Sequence, residues 1–96
     1  MSTRMVTYRV KDGRAEENSA YVRDVMADLE ASAPAGVTYS VFLLDDGVTF
    51  VHVVDGDSGP IQQSEAFQRF TATLVADRCV GAPEQRTLTL VGRYAG

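Results

Sequence analysis

The chain has 96 residues, 45% of them hydrophobic, with nine basic and thirteen acidic side chains. This length and composition predict a single domain over residues 1–96 and exclude a disordered chain. The formal charge of −4 and the scattered arginines disfavour nucleic acid as a partner, which needs a concentrated basic patch. A single cysteine excludes an intrachain disulfide.

Membrane insertion and secretion are also disfavoured by the sequence. No apolar run approaches the roughly 18 residues that are needed to span a bilayer. The amino terminus lacks the apolar segment of a signal peptide. We therefore expect a cytoplasmic protein with no membrane partner.

The first part of the chain predicts a strand followed by an amphipathic helix. Residues 3–11 are rich in β-branched and aromatic types, with Val6, Tyr8 and Val10 on one face. Residues 14–33 predict a helix whose apolar stripe follows a 3.6-residue period. That stripe consists of Val22, Val25, Met26 and Leu29.

A β-hairpin is expected next, with strands at 37–45 and 48–54. Asp46-Gly47 between them favours a two-residue type I′ turn. The resulting register pairs Tyr39 with Val54, Val41 with His52, Phe42 with Val51, and Leu43 with Phe50. Both faces of the hairpin are largely apolar, and helices on one side would cover only one of them. A second copy of the protein is the simplest cover for the other face.

The remaining segments complete a β-α-β-β-α-β order. Residues 55–60 are expected to form a loop, residues 61–80 a helix and residues 85–94 the fourth strand, with 81–83 ending the helix. Right-handed crossovers then predict an α+β fold of the ferredoxin-like class. It has a four-stranded antiparallel sheet with both helices on one face.

Few residues suggest chemistry. His52 is the only histidine and is either a general base or a packed side chain without a chemical role. Asn18 either places a polar group in a pocket or bonds to nearby backbone. Arg9 is either a surface residue or a partner for an anion on the sheet face away from the helices. Cys79 is interpreted as structural, and no spacing of ligands predicts a metal site or a cofactor.

Three segments resemble the antibiotic-biosynthesis-monooxygenase-like group of the dimeric α/β-barrel superfamily. They are residues 10–17, where the first strand turns into the helix, the hairpin at 43–52, and residues 64–70, with a serine followed by paired aromatics. The resemblance implies a homodimer in which two sheets pack face to face, with a small-molecule cavity inside the barrel or between helices and sheet. Relatives include cofactor-free oxygenases, haem-degrading enzymes, isomerases and effector-binding modules.

The sequence departs from the oxygenase pattern, because it has no tryptophan and carries residues 54–56 where many relatives have an acid-aromatic pair. No catalytic role is therefore transferred, and two hypotheses stay open. In one, the protein is a cofactor-independent oxygenase acting on a small aromatic substrate, with His52 as base and Arg9, Tyr39 and Phe50 shaping the site. In the other, it is a dimer that binds a small apolar or aromatic molecule without catalysis.

Overall fold

The computed structural model describes residues 2–96. The elements follow the order expected from the sequence, with one helix divided. They are β1 (Thr3–Val10), α1 (Ala15–Ser32), β2 (Val37–Leu43), β3 (Thr49–Gly56), α2 (Gly59–Gln63), α3 (Glu65–Thr73), a π-helical turn (Leu74–Arg78) and β4 (Cys79–Leu88).

The strands form one antiparallel sheet in the order β2-β3-β1-β4. This arrangement confirms the expected ferredoxin-like fold. The buried core lies between the sheet and helices α1 and α3, where Tyr8, Val10 and Phe50 of the sheet meet Val25 and Phe70 of the helices. The alternation along β1 and the apolar stripe of the first helix are confirmed as the inward-facing positions.

The hairpin register is confirmed, but the predicted turn type is wrong. Tyr39 pairs with Val54 and Val41 pairs with His52, as expected. A type I′ turn needs positive φ at both central residues. Gly47 has a φ of 75°, but Asp46 is not among the positive-φ residues of the described chain. The Asp46 carboxylate instead accepts hydrogen bonds from the amides of Val48 and Thr49, which stabilises a different turn.

The predicted second helix at 61–80 is interrupted at Ser64. The backbone of Ser64 is extended, and its hydroxyl accepts a hydrogen bond from the Phe67 amide at the start of α3. A serine in this position is a favourable N-cap, so a new helix starts there rather than the earlier one continuing.

The predicted bounds of the last strand are also wrong. β4 starts at Cys79 and ends at Leu88, whereas the prediction placed the strand at 85–94 and Cys79 at the end of a helix. Residues 81–83 do not separate the elements but form an irregularity inside β4, where the register with β1 shifts. Gly81 has a φ of 76°, and a proline without an amide hydrogen is tolerated at a bulge of an edge strand.

Candidate functional site

A buried hydrogen-bond network crosses the core beneath the sheet, and its centre is His52. This residue is 5% exposed and lies on the inward face of β3. Its Nε2 atom is 2.8 Å from the Tyr8 hydroxyl on β1, and its Nδ1 atom is 2.7 Å from the Tyr39 hydroxyl on β2. Both ring nitrogens are therefore occupied by protein groups.

The network continues from Tyr8 toward the helices. Asn18, fully buried on α1, donates from Nδ2 to the Tyr8 hydroxyl over 2.8 Å. Arg78, also fully buried, donates from Nε to Asn18 Oδ1 over 3.0 Å. The side chain of Asn18 thus bonds to two other side chains in the core, and it lines neither of the two clefts described below.

The π-helical turn gives Arg78 its place in the core. Phe70 is buried near the end of α3, and the π-helical turn continues the buried positions with Leu74 and Arg78. Such turns are rare and occur often at functional sites. At the start of α1, Arg14 donates from Nη2 to an Asp77 carboxylate oxygen over 2.8 Å, which fastens the turn to that helix.

Arg78 is a buried cation whose hydrogen-bond partners are all neutral. Besides Asn18, it donates to the Thr73 hydroxyl over 2.7 Å and to the Phe70 carbonyl over 2.9 Å. Its guanidinium also lies 4.1 Å from the centre of the Tyr21 ring, within the range of a cation–π interaction. None of the ion pairs found among residues 2–96 includes Arg78.

The donors and acceptors of this network can be assigned from Arg78 and from the contacts of the Tyr8 hydroxyl, whose hydrogen-bond partners are Asn18 and His52. A guanidinium only donates, so the oxygen of Asn18 must face Arg78 and its amide nitrogen must face Tyr8. Tyr8 then accepts from Asn18, and its own proton is directed to Nε2 of His52. His52 is accordingly neutral, carries its proton on Nδ1, and donates to the Tyr39 hydroxyl.

Burial favours the uncharged form of the histidine and of both tyrosines in this network. Desolvation lowers the pKa of His52 to about 4, which favours the neutral ring that the hydrogen bonds require. Desolvation also raises the pKa of both Tyr8 and Tyr39, so the phenols stay protonated. The network at neutral pH therefore contains one cation, Arg78, and uncharged partners.

Tyr39 connects the network to a cleft between α1 and β2. The cleft has a volume of about 210 Å³ and is mainly apolar. It is lined by Met26, Leu29, Glu30, Ala33, Pro34, Val37 and Tyr39. Within residues 2–96, Tyr39 is the one residue that belongs to both the network and the lining of this cleft.

A second cleft of about 490 Å³ lies between α1 and α2, at the end of the molecule where Ser64 meets Asp28. Its lining is more polar and includes Ser32, Gln63 and Glu65. No residue of the buried network lines it, so the two features are separate.

The structure brings together three of the four predicted site residues. His52, Tyr39 and Phe50 all point to the helix side, where Phe50 stacks on Tyr8 with ring centres 5.7 Å apart. Arg9 lies on the opposite face of β1 and is exposed, so it does not share a site with them.

Tyr8 and Arg78 were not among the predicted site residues. The four-residue spacing of Phe70, Leu74 and Arg78 was a usable signal, because it continues the apolar stripe of the helix. The alternation along the first strand placed Tyr8 on the inward face, but no local pattern indicated its contact with His52. That contact depends on the pairing of β1 with β3.

Cys79 is buried, and burial raises the pKa of its thiol, as expected for a structural cysteine. Among residues 2–96, no cluster of three histidine, cysteine or acidic side chains is arranged to hold a metal ion. The same residues contain no helix that is long and apolar enough to cross a membrane.

The fold is shared with many solved structures, although no protein-family model and no curated protein matches the chain. A provisionally named antibiotic biosynthesis monooxygenase from Nitrosomonas europaea superposes with a TM-score of 0.76 at 17% identity, covering 96% of this chain and all of the other. A protein named in the same way from Caulobacter crescentus gives 0.70 at 21% identity, with 95% and 90% covered.

A protein of unknown function from Nitrosomonas europaea gives a TM-score of 0.70 at 15% identity, with 99% of this chain and 93% of the other covered. At these identities the similarity concerns the fold. The resemblance to the antibiotic-biosynthesis-monooxygenase-like group is confirmed at that level.

Proposed function

We propose that this protein is a homodimer that binds a small apolar or aromatic molecule in the cleft between α1 and β2. The observation that supports binding over catalysis is the state of His52, whose two ring nitrogens are both hydrogen-bonded to tyrosine hydroxyls. A general base needs a free lone pair within reach of the proton it abstracts. His52 has none to offer while the network is intact.

The composition of the cleft favours such a ligand. Small-molecule sites are usually concave and apolar, with a few polar groups that orient the ligand. Here Met26, Leu29 and Val37 supply apolar surface, and Tyr39 and Glu30 are the polar side chains. A volume of about 210 Å³ is below the roughly 300 Å³ at which drug-sized sites begin, so the ligand is smaller than a drug-sized molecule.

The ligand site can be located by NMR without knowing the natural ligand. A set of small aromatic compounds is titrated into the ¹⁵N-labelled protein. We expect amide shifts concentrated at residues 26–39 and recovery of the compounds unchanged. Shifts confined to the polar cleft beside α2, or no shifts at all, would contradict the proposed site.

The dimer is proposed from the sheet face that the helices leave open. Register places Met5, Val51, Val53 and Phe42 together on this face, with Phe42 54% exposed. Met5, Val51 and Val53 are half-buried, and apolar side chains on a sheet face that no helix covers are typical of an interaction site. A second copy presenting the same face is the partner that the sequence already favoured.

Sedimentation of the purified protein tests the dimer. We expect the wild type to sediment as a dimer and Val51→Lys as a monomer, because the lysine places a charge in the apolar face. Val75→Lys is the matched control, since Val75 is 56% exposed on the π-helical turn, away from the sheet. A monomeric wild type, or a dimer that survives Val51→Lys, would refute this interface.

The second candidate function is a cofactor-independent oxygenase. The observation that favours it is the continuous path of hydrogen bonds from Tyr8 through His52 to Tyr39, which could move a proton to the cleft. It predicts oxygen consumption with an activated phenol that His52→Gln abolishes while the fold is retained. Turnover lost in this variant would replace the binding proposal, and absence of turnover in the wild type would leave the oxygenase without support.

A further inference from the structure

The buried hydrogen bonds all run in one direction, from Arg78 to Tyr39. Arg78 donates to Asn18, which donates to Tyr8, which donates to His52, which donates to Tyr39. The guanidinium has no acceptor, which fixes the first two directions. The two bonds of His52 follow from the Tyr8 proton, because among residues 2–96 the Tyr8 hydroxyl contacts only the Asn18 amide, which donates to it, and His52 Nε2. Aligned hydrogen bonds polarise one another, which strengthens each donor along the series.

The Tyr39 hydroxyl is the last donor of the series, and its own proton has no assigned acceptor. Its oxygen is engaged by His52 Nδ1. Among residues 2–96 the hydroxyl makes no other side-chain or backbone hydrogen bond. Tyr39 also lines the cleft between α1 and β2.

We propose that the one-directional network from Arg78 to Tyr39 makes the Tyr39 hydroxyl a fixed donor to the cleft, so that the ligand carries a neutral acceptor oxygen, such as a ketone carbonyl. This inference rests on the proposed function, since it specifies the ligand of that same cleft. It assigns Tyr39 as a specificity-determining residue and the four residues behind it as positioning residues.

Glu30 favours a ligand with a neutral acceptor oxygen over a ligand with an anionic one. Among the described residues that line the cleft, Glu30 is the one that carries a charge, and it is an exposed residue. Glu30 lies on α1 and Tyr39 on β2, and a carboxylate lining the cleft repels a ligand carboxylate or phenolate. A neutral carbonyl accepts from Tyr39 without this repulsion.

The direction of the network can be read directly, because the chain has a single histidine. Long-range ¹H–¹⁵N NMR spectra of uniformly labelled protein distinguish the protonated ring nitrogen from the bare one. We expect the proton on Nδ1 in the wild type and a mixture of tautomers in Tyr8→Phe, which lacks the hydroxyl that donates to Nε2. A wild-type proton on Nε2 would overturn the inference.

The acceptor is tested with two probes of the same shape. Acetophenone carries a carbonyl oxygen where α-methylstyrene has a CH₂ group. A net neutral hydrogen bond changes affinity by about 2- to 12-fold. We therefore expect acetophenone to bind the wild type more tightly than α-methylstyrene by a factor in this range, with both dissociation constants measured by NMR titration.

Tyr39→Phe should remove this preference by weakening acetophenone and leaving α-methylstyrene unchanged. Tyr94→Phe is the matched control, because it makes the same change at a side chain that is 93% exposed outside the cleft, and it should keep the preference. Equal affinity of the two probes for the wild type, or equal weakening of both in Tyr39→Phe, overturns the inference alone. Absence of any shift at the cleft with either probe overturns the proposed function with it.

Discussion

His52 should make the stability of this protein depend on pH between about 4 and 6.5. The chain has one histidine, and its pKa is lowered by burial from 6.5 to about 4. Between these two values the unfolded chain binds a proton that the folded chain does not. The contribution of neutral, buried His52 to the unfolding free energy is therefore fully present above pH 6.5, and it is lost as the pH is lowered toward 4.

The size of the effect follows from the same two values. One pKa unit corresponds to about 1.4 kcal/mol. The difference between 6.5 and about 4 for His52 therefore amounts to about 3 kcal/mol of unfolding free energy lost across this range. Below pH 4 both states carry the proton, so this contribution stays constant.

The assay compares the wild type with His52→Gln by urea unfolding at a series of pH values and one fixed protein concentration. Carboxyl groups contribute equally to both proteins, so the difference between the two curves isolates His52. We expect the advantage of the wild type at pH 7 to shrink by about 3 kcal/mol at pH 4. Parallel curves, or a His52 ring-proton NMR titration with its midpoint near 6.5, would refute the buried neutral histidine.

Three further predictions concern the fold. Asn18→Leu should lower the unfolding free energy by about 2–4 kcal/mol, because it removes a bond from charged Arg78 and a neutral one; a urea-unfolding loss below about 0.5 kcal/mol would contradict the network. Ser64→Ala should cost about 1 kcal/mol in the same assay through loss of the N-cap, and an unchanged midpoint would show that the cap is not needed. Gly56→Ala should lower the melting temperature more than Gly47→Ala does, because a Cβ at Gly56 would clash with the backbone oxygen of Gly36 whereas Gly47 is unobstructed; equal losses would contradict this difference.

The local elements of the fold could be predicted because each has a short-range signal. The stripe of Val22 and Val25 and the alternation of Tyr8 and Val10 depend only on the period of a helix or a strand. The hairpin register needed only the position of Gly47, even though the turn type was wrong.

The end of the second helix was mispredicted because its signals were ambiguous. Residues 81–83 contain glycine and proline, which usually terminate a helix. Here they lie in an edge strand, where the same residues form a bulge opposite β1. The helix is instead interrupted at Ser64, which caps the start of α3. A serine is a usual N-cap residue, but the predicted helix at 61–80 ran through this position without using that signal.

The candidate site was only partly predictable, since its contacts join distant parts of the chain. Tyr8 and His52 are 44 residues apart, and Asn18 and Arg78 are 60 apart. A buried arginine without a carboxylate partner also runs against the usual preference of charged residues for the surface. Such a contact depends on how the elements pack, which periodicity alone does not specify.

Five elements each contribute one residue to the network. They are the π-helical turn, α1, β1, β3 and β2. Apolar side chains in a core can shift and repack at small cost, whereas hydrogen bonds lose their energy when donors and acceptors move apart. A displacement of β2 would break the bond between Tyr39 and His52 and leave a buried nitrogen unpaired. The network therefore favours a single relative position of these elements, and the position that it favours is also the one that presents Tyr39 at the cleft. Structural order and the proposed recognition of a ligand through Tyr39 would then depend on the same five side chains. Losses of unfolding free energy from combined substitutions within them should be smaller than the sum of the single losses.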